Sequence, residues 1–491
     1  MRLIEIIVCA ANAAGLAALA APWRGRGQQW RYLAVIAPLI AVVQFLAEGY
    51  RWQMIPAYTL AAIVATCAAL LGTGRVFSPA TRSVGMSVGI LVFVVSAAVP
   101  VVVPVFELPR PGGPYAIGTL TYHWRDEARR EIFDAGPGTA RELMAQVWYP
   151  AETVDRADTE PYVVDAAPLS SSVGRMFHVP GFVFDYWDTI PTHATPTAPV
   201  ATGSSRYPVL VFVSGLGGFR QSNMFQVEQL VSRGFVVVGL DQPYTSAATT
   251  FPDGRSVAGW DKGRLDPLVE QSISPVSPAP VLGGVEYPDG ILGYLGEDVS
   301  FTLTQLQRLN ARDPGGVLTQ RLDLDHVGAF GVSLGAMVVG QVCRTDVRLA
   351  ACLMMDAAMP VQVAAQGLRQ PSMWLTRDAD SMLLERSRSG GWTDRDIEET
   401  LTTQRAAFHN SPAGGHYYLQ APGMFHVNFT DAPLWTPLAE AIGICGPVGA
   451  ERGHDIIAAY TVAFFHRHLA DHPSLLLDTA PPWAEVHLDQ R

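Results

Sequence analysis

Four long apolar stretches occupy the N-terminal part of this 491-residue chain. They contain almost no charged side chains and lie at about residues 3–21, 32–48, 54–72 and 84–106. Each is about as long as a helix that crosses a bilayer. Because lipid offers the backbone no hydrogen-bond partners, a segment that crosses it must be helical or part of a closed barrel. The sequence therefore predicts an all-helical transmembrane region of about four helices at residues 1–108.

A signal peptide is the alternative interpretation of the first stretch. The sequence "AALAAP" resembles a small-residue cleavage site. Against cleavage, the n-region holds only Arg2, Glu5 interrupts the apolar run, and three further stretches follow. We therefore expect the first stretch to be retained as a span.

The basic residues of the short loops predict the orientation of these spans. The second loop has only Arg51, whereas the first and third loops hold Arg24, Arg26, Arg31, Arg75 and Arg82. Loops one and three should therefore be cytoplasmic. Four spans return the chain to the outer side, so we expect the residues after 107–114 to be extracytoplasmic. The Ala-, Arg- and Val-rich composition indicates a bacterial cell membrane.

Charge and cysteine content exclude several function classes. The net charge is -11, and no Lys/Arg cluster with interleaved aromatics is present, so we expect no nucleic-acid partner. The five cysteines are scattered without C-x-x-C spacing. They predict neither a metal site nor a disulfide framework. Cys343 and Cys352 could pair only if the end of a helix and the start of a strand meet, and we expect them to remain unpaired.

From about residue 115 the sequence alternates between short apolar runs and helical patterns. This alternation is typical of a mostly parallel, doubly wound α/β sheet with crossover helices. Helices are predicted at 298–312 and 454–469. Strands are predicted at 143–150, 207–215, 235–241, 327–333, 349–356, 371–378 and 416–423. The sequence therefore predicts one α/β domain over residues 115–491. The segment 379–415 interrupts the strand rhythm, includes a helix opened by Thr393, and is a predicted cap or lid.

The pattern G-x-S-x-G occurs twice, around Ser87 and around Ser333. Ser87 lies at the start of the fourth apolar stretch, where its hydroxyl can bond to its own helix and the glycines suit helix packing in lipid. Ser333 lies between an apolar strand and a predicted helix. A serine on such a turn is a nucleophile elbow, and the helix N-terminus offers N–H groups to a developing oxyanion. Ser333 is therefore the predicted nucleophile.

A serine nucleophile needs a base and an acid that orients the base. In α/β hydrolases the chain order is Ser, then Asp or Glu, then His, and each follows a strand. His426 follows the last predicted strand by a short loop and is the predicted base. The acid has two possible locations: Asp356 ends the strand after the elbow, and Asp378 or Asp380 ends the next one. Composition leaves both locations open.

The sequence contains the segments "YPVLVFVSGLGGFRQSN", "GVSLGA", "LMMDAAMP" and "FHVNFTDAP". Together they resemble the platelet-activating factor acetylhydrolase family of α/β hydrolases, and the resemblance covers about residues 116–470. It implies an α/β-hydrolase fold, a carboxylic ester hydrolase without metal or cofactor, and Asp356 as the acid. It also implies an oxyanion hole formed by the backbone N–H groups of Leu216 and Leu334. Its implied substrates are phospholipids with short or oxidised acyl chains.

The chain departs from the family pattern at three positions. Ser214 replaces a histidine before the Gly-Leu-Gly loop, Val332 replaces the histidine before the nucleophile, and Ala336 replaces a glycine after the elbow. Ser214 and Val332 would line the pocket. The departures therefore affect the predicted substrate more than the predicted reaction.

The segment 176–187, "MFHVPGFVFDYW", is rich in aromatic residues and has two interpretations. It is either a core or cap-packing segment, or an apolar acyl site or surface that enters the lipid interface.

The sequence thus predicts a membrane-anchored serine esterase whose partners are the lipid bilayer and an ester or phospholipid substrate. Two alternatives remain: an acyltransferase with the same triad, and an inactive hydrolase fold that serves as a membrane scaffold or receptor.

Overall fold

The structure is a computed structural model that describes residues 1–20, 30–73, 77–134, 139–154 and 158–491. The chain divides into two compact units. The helical unit comprises Met1–Phe106 with the short segments Asp185–Ile190 and Trp435–Leu438. The sheet unit comprises Glu107–Phe184, Pro191–Leu434 and Ala439–Arg491.

The predicted apolar stretches are helices of the helical unit. A 3-10 turn, Trp52–Met54, precedes the third of them, and the helices are α1 (Leu3–Ala20), α2 (Trp30–Glu48), α3 (Ile55–Gly72) and α4 (Pro79–Val102). Three segments are long and apolar enough to cross a membrane by length and composition: Leu3–Ala20, Trp52–Leu71 and Pro79–Val102. The described apolar stretch of α2, Val35–Glu48, is shorter.

Small residues let these helices approach each other closely. A Cβ on Gly15 would lie 2.7 Å from a Val64 methyl group, and one on Gly89 would lie 2.8 Å from a Leu16 methyl group. These contacts join α1 to α3 and α1 to α4. Such glycines are typical of helix interfaces in lipid, where close packing replaces the hydrophobic driving force. Ser87 is an exposed residue inside α4, two positions before Gly89, and does not lie on a strand-to-helix turn.

The helical unit exposes large apolar side chains, and a buried ion pair lies at one end of its helices. Large hydrophobic side chains are exposed on all four helices, for example Leu46 and Leu91. Glu5 of α1 accepts a hydrogen bond from Arg51 at 2.7 Å, and both side chains are fully buried. Arg51 also donates to the backbone carbonyl of Val103, just after α4, at 2.9 Å. This ion pair links the ends of three helices on the side that the basic loops predict to be extracytoplasmic.

The sheet unit is built on a ten-stranded sheet. Its strands are β1 (Ala116–Arg130), β2 (Ala140–Ala151), β3 (Ala194–Pro196), β4 (Tyr207–Val213), β5 (Val236–Asp241), β10 (Leu322–Val332), β11 (Leu349–Met355), β12 (Ser372–Thr376), β13 (His416–Gln420) and β14 (His487–Gln490). Two small hairpins pair β6 (Ala248–Thr250) with β7 (Ser256–Ala258), and β8 (Val281–Leu282) with β9 (Val285–Glu286).

Helices connect these strands. The main ones are α5 (Ala166–Met176), α6 (Met224–Val231), α7 (Lys262–Glu270), α8 (Leu292–Ala311), α9 (Leu334–Thr345), α10 (Val361–Gln366), α11 (Ala379–Ser389), α12 (Asp394–Asn410), α13 (Ala450–Leu469) and α14 (Leu475–Asp478). Short 3-10 helices lie at Gly181–Thr189, His426–Phe429 and Ala432–Leu434.

The strand order is β14-β13-β12-β11-β10-β4-β5-β2-β1-β3. The block from β5 to β13 is parallel, whereas β1, β2 and β14 add antiparallel pairings. The mostly parallel sheet predicted from the sequence is therefore present as a mixed sheet. The chain runs from β4 to β5 on one side and later returns to β10 on the other side of β4. Ligands in open α/β sheets bind at such a reversal, beyond the carboxyl ends of the strands.

Each predicted strand lies within or overlaps an observed one, whereas β1, β3, β14 and the four short hairpin strands β6 to β9 were not predicted. The missed strand β1 has exposed and charged residues at alternate positions in its second half, so it lacks an apolar run. The helix opened by Thr393 is also present: its hydroxyl and the Asp396 carboxylate form a capping box at the start of α12.

The segment 379–415 forms α11 and α12, which connect the parallel strands β12 and β13. The apolar side of α12 is buried, and Phe408 contacts Trp374 of β12 edge-to-face, with ring centroids 6.2 Å apart. The helix α12 therefore packs as a crossover helix, and a lid role for this segment stays a prediction.

The expectation that Cys343 and Cys352 remain unpaired is wrong. The two cysteines form a disulfide between α9 and β11, with the Cα atoms 6.5 Å apart. Only a tight connection separates the end of α9 from the start of β11, so the chain returns beside itself and brings the two thiols together. The sequence separation of nine residues did not reveal this proximity.

Candidate active site

Ser333 lies at the turn between β10 and α9 and has φ 56° and ψ -126°. This strained conformation is typical of a nucleophile elbow. The flanking glycines are required by contacts: a Cβ on Gly335 would lie 2.0 Å from the carbonyl oxygen of Val213, and one on Gly331 would lie 2.5 Å from the backbone of Gly335. The absence of side chains at both positions lets α9 begin directly against the end of β4.

The backbone around Ser333 lies beside the ends of three strands, β10, β11 and β4. The Ser333 N–H donates to the carbonyl of Met355, the last residue of β11, at 2.9 Å. On the other side, a Cβ on Gly215 would lie 3.1 Å from the Ser333 Cβ. The loop after β4 therefore runs beside the half-buried Ser333.

Two backbone donors adjoin this serine. Leu334 is the first residue of α9, and Leu216 lies in the loop after β4, next to Gly217 with φ +70°. The loop is held by hydrogen bonds from Gly217 N–H to Thr245 and from Gly218 N–H to Gly215, each 2.9 Å long. Within the described part of the chain, neither the Leu216 nor the Leu334 N–H has a hydrogen-bond acceptor. Their role as an oxyanion hole stays a prediction.

Asp356 and His426 are in contact. The Nδ1 atom of His426 lies 2.6 Å from Oδ2 of Asp356, which is completely buried directly after β11. His426 opens the 3-10 helix after β13, and its side chain keeps a quarter of its surface exposed. No hydrogen bond joins Ser333 Oγ to His426 in the described residues. The structure therefore places His426 beside Asp356 and Ser333 on a strained turn, and their joint catalytic action stays a prediction.

Asp356 also has two partners besides His426. Arg377 Nε donates to Oδ2 at 2.9 Å, and the Thr376 hydroxyl donates to Oδ1 at 3.1 Å. Burial raises the pKa of this carboxyl, but the Arg377 charge and the hydrogen bonds from His426 and Thr376 outweigh that effect. The pKa of Asp356 consequently lies below its ordinary value, and the carboxylate stays ionised at neutral pH.

The two alternative acids, Asp378 and Asp380, lie at the start of α11. Asp378 is the N-cap of α11 and accepts a hydrogen bond from the Ser381 N–H at 3.0 Å. Asp380 is exposed in the first turn of the same helix. Among the three acids considered, Asp356 is the one that contacts His426.

Three side chains around His426 were missed by the sequence analysis: Arg377, Glu385 and Trp392. Glu385 accepts the His426 backbone N–H at 3.3 Å, and the Trp392 ring meets the imidazole edge-to-face with centroids 5.2 Å apart. The sequence offered one signal for them: Arg377 directly follows a buried apolar strand, and a buried arginine needs a buried acidic partner.

The aromatic segment 176–187 has both buried and exposed apolar side chains, so parts of it fit a packing role and parts fit an apolar surface. Phe184 is buried, whereas Met176, Val179 and Phe182 are among the exposed large hydrophobics of the sheet unit. The Met176 sulfur lies 3.1 Å from the position that a Cβ on Gly217 would occupy. An exposed apolar group therefore adjoins the loop that carries Leu216.

No group of three or more His, Cys, Asp or Glu side chains in the described residues is arranged to hold a metal ion.

Comparisons with known proteins support a carboxylic ester hydrolase. The sequence profile of "Platelet-activating factor acetylhydrolase, isoform II" matches residues 103–258. The platelet-activating factor acetylhydrolase of Cavia porcellus is 21% identical over 383 residues, which cover 74% of this chain and 78% of that protein. The enzyme of the same name from Bos taurus is 23% identical over 52% of this chain and 55% of its own length.

A solved structure extends the comparison to the fold. The ferulic acid esterase from Streptomyces cinnamoneus superposes with a TM-score of 0.60 and 26% sequence identity. The match covers 78% of this chain and 99% of the esterase. A mixed sheet of this kind, with an esterase as structural neighbour, is consistent with an α/β-hydrolase fold.

Proposed function

The chain is a carboxylic ester hydrolase similar to the platelet-activating factor acetylhydrolases, and we propose that it is membrane-anchored and uses Ser333, His426 and Asp356 as a catalytic triad. The observation that carries the triad is the 2.6 Å contact between His426 Nδ1 and Asp356. The strained serine elbow at the end of β10 supports it independently.

In the proposed acylation step, Ser333 Oγ attacks the ester carbonyl while His426 Nε2 takes the hydroxyl proton. Asp356 holds the imidazole through Nδ1 and stabilises the imidazolium that forms. The backbone N–H groups of Leu216 and Leu334 donate to the oxyanion of the tetrahedral intermediate. The intermediate then collapses, the C–O bond to the alcohol breaks, and His426 gives its proton to the departing alkoxide oxygen.

Deacylation repeats these steps with water as the nucleophile. His426 takes a proton from the water, which attacks the acyl carbonyl, and then returns a proton to Ser333 Oγ as the carboxylic acid leaves. No metal or organic cofactor takes part in this scheme.

Short or oxidised acyl chains of phospholipids are the proposed substrates. The family resemblance supports this choice, and so does the exposed apolar side chain of Met176 beside the loop that carries Leu216. An anchored enzyme would meet lipid esters at high local concentration. The likeness to a ferulic acid esterase favours a second candidate, the hydrolysis of small carboxylic esters in general.

We also propose that the sheet unit is extracytoplasmic and bound to the membrane by the helical unit. The three apolar segments of sufficient length and the exposed hydrophobic residues on the helices support anchoring. The disulfide Cys343–Cys352 supports the outer location, because structural disulfides persist in oxidising compartments.

Fluorophosphonate labelling of isolated membranes tests the enzymatic proposal. We expect covalent label on the peptide that contains Ser333, together with turnover of p-nitrophenyl esters that is highest for short acyl chains. The reason is that a fluorophosphonate forms its bond only with a serine activated by a base. Mass spectrometry of the labelled peptide and initial rates across acyl lengths are the measurements.

Other results would redirect the assignment. Absence of both label and turnover in the wild type would favour the scaffold interpretation. Transfer of the acyl group to an added acceptor alcohol, at an unchanged rate of acyl-enzyme formation, would identify an acyltransferase. Equal rates for short and long acyl chains would refute the short-chain preference.

Thiol counting tests the location. In cells quenched with acid and then denatured, we expect a mass-tagged maleimide to modify three cysteines, Cys9, Cys67 and Cys445, before reduction. After reduction it should modify all five. The double variant Cys343→Ala/Cys352→Ala is the control and should show three in both states. Modification of five cysteines without reductant in the wild type would indicate a reducing environment and contradict the outer location.

A further inference from the structure

Arg377 joins two buried carboxylates behind the candidate active site. It extends from the end of β12, its side chain is completely buried, and its Nε donates to Asp356 at 2.9 Å. One of its terminal nitrogens donates to the carboxylate of Glu385 on α11. One guanidinium thus bridges the acid of the proposed triad and a second acidic side chain.

Both carboxylates also hold His426, at different atoms. Asp356 contacts the ring at Nδ1, and Glu385 accepts the backbone N–H, with both of its oxygens at 3.3 Å. The contacts therefore form a closed ring: His426 ring, Asp356, Arg377, Glu385 and His426 backbone. The orientation of an imidazole depends on both its ring contact and its backbone position, and this closed ring restrains both.

We propose that Arg377 is a positioning residue for the base: by holding Asp356 and Glu385 together, it fixes the ring and the backbone of His426 in the orientation that catalysis requires. This inference rests on the proposed triad function. Arg377 acts through the two carboxylates and does not touch the substrate.

The net charge of this ring changes when His426 accepts the serine proton. With neutral His426, the two carboxylates and one guanidinium carry one net negative charge. When His426 accepts the serine proton, the set becomes neutral. Without Arg377, two carboxylates would share a dry site, and like charges at close range force one of them to bind a proton.

Trp392 covers the arginine and the histidine together. The guanidinium carbon of Arg377 lies 4.6 Å from the centre of the Trp392 ring, which also meets the edge of His426. The aromatic face attracts the cation and limits its contact with water. The connection between β12 and β13 therefore supplies Arg377, Glu385 and Trp392, and through them it has a role in orienting the base.

The pH dependence of kcat/KM in Arg377 variants tests this proposal. For Arg377→Met we expect kcat to fall about 100-fold, as for a misplaced catalytic group, with little change in KM. We also expect the acid limb of the profile to move to higher pH by about one unit, because the unpaired carboxylates bind a proton. The double variant Arg377→Met/Glu385→Gln removes the Glu385 carboxylate together with the Arg377 guanidinium. Asp356 then has no neighbouring like charge, so the acid limb of the profile should return towards its wild-type position.

Two further variants complete the design. Arg377→Lys keeps the charge but loses the two-pronged contact, so we expect a wild-type acid limb with a reduced kcat. Arg452→Met removes a comparable but exposed ion pair with Glu485 and should leave kcat and the pH profile unchanged. Thermal unfolding of each variant identifies those that fold.

The proposal is overturned if folded Arg377→Met has the wild-type kcat and acid limb. If that variant does not fold, the proposal is overturned when the folded Arg377→Lys and Arg377→Met/Glu385→Gln variants both have wild-type kcat. Failure of the triad itself would be recognised separately, since the wild type would then not be labelled by a fluorophosphonate at Ser333.

Discussion

Replacing Ser333 with alanine should lower kcat for p-nitrophenyl esters by about 10⁶-fold, the loss that follows removal of a serine nucleophile in a triad enzyme. The variant keeps the elbow, because alanine differs from serine only by the hydroxyl. The proposed acyl-enzyme then cannot form, and only binding and the oxyanion donors remain. Steady-state rates on purified, detergent-solubilised protein measure this loss.

Ser87→Ala is the matched control for this experiment. Ser87 shares the G-x-S-x-G pattern but is an exposed residue of α4. Its replacement should leave kcat and labelling unchanged. If Ser333→Ala retained turnover and label while Ser87→Ala lost them, the assignment of the nucleophile would be reversed.

Replacing Asp356 with asparagine should lower kcat by about 10⁴-fold at neutral pH. An asparagine amide can present its N–H₂ group to Nδ1 of His426, which selects the wrong tautomer of the imidazole. It also removes the negative charge that stabilises the imidazolium, and it leaves Arg377 with one carboxylate fewer. Rates measured across the pH range report the loss.

The other acids considered from the sequence provide the controls. Asp378→Asn should stay near the wild-type rate, because asparagine also caps helices well and Asp378 acts as the N-cap of α11. Asp380→Asn changes an exposed residue and should have little effect. A loss in either variant as large as that in Asp356→Asn would contradict the assignment of the acid.

Much of the fold was accessible from the sequence because it depends on local patterns. The buried strands are mostly apolar runs, and the capping box is formed by Thr393 and Asp396, only three positions apart. The elbow could be located because Gly331 and Gly335 are required by backbone contacts that admit no side chain. The strand β1 was missed for the converse reason, since its charged residues interrupt the apolar pattern.

The surroundings of the candidate base were not accessible in this way. Glu385 lies 41 residues from His426 in sequence, and Asp356 lies 70 residues away. Their convergence depends on the order in which β11, β12 and β13 pair, which brings the carboxyl ends of three separate strands to one edge. Arg377 has no recognisable motif, and its role depends on two carboxylates from different elements.

The sequence by itself determined the apolar helices at the N-terminus, the parallel strands and the serine between two glycines. These features arise from hydrophobic period and from steric limits within a few residues. Only the tertiary structure placed Asp356 in contact with His426, paired Cys343 with Cys352, and closed the ring through Arg377. Such contacts join residues distant in the chain, and their formation depends on strand order and helix packing rather than on local pattern.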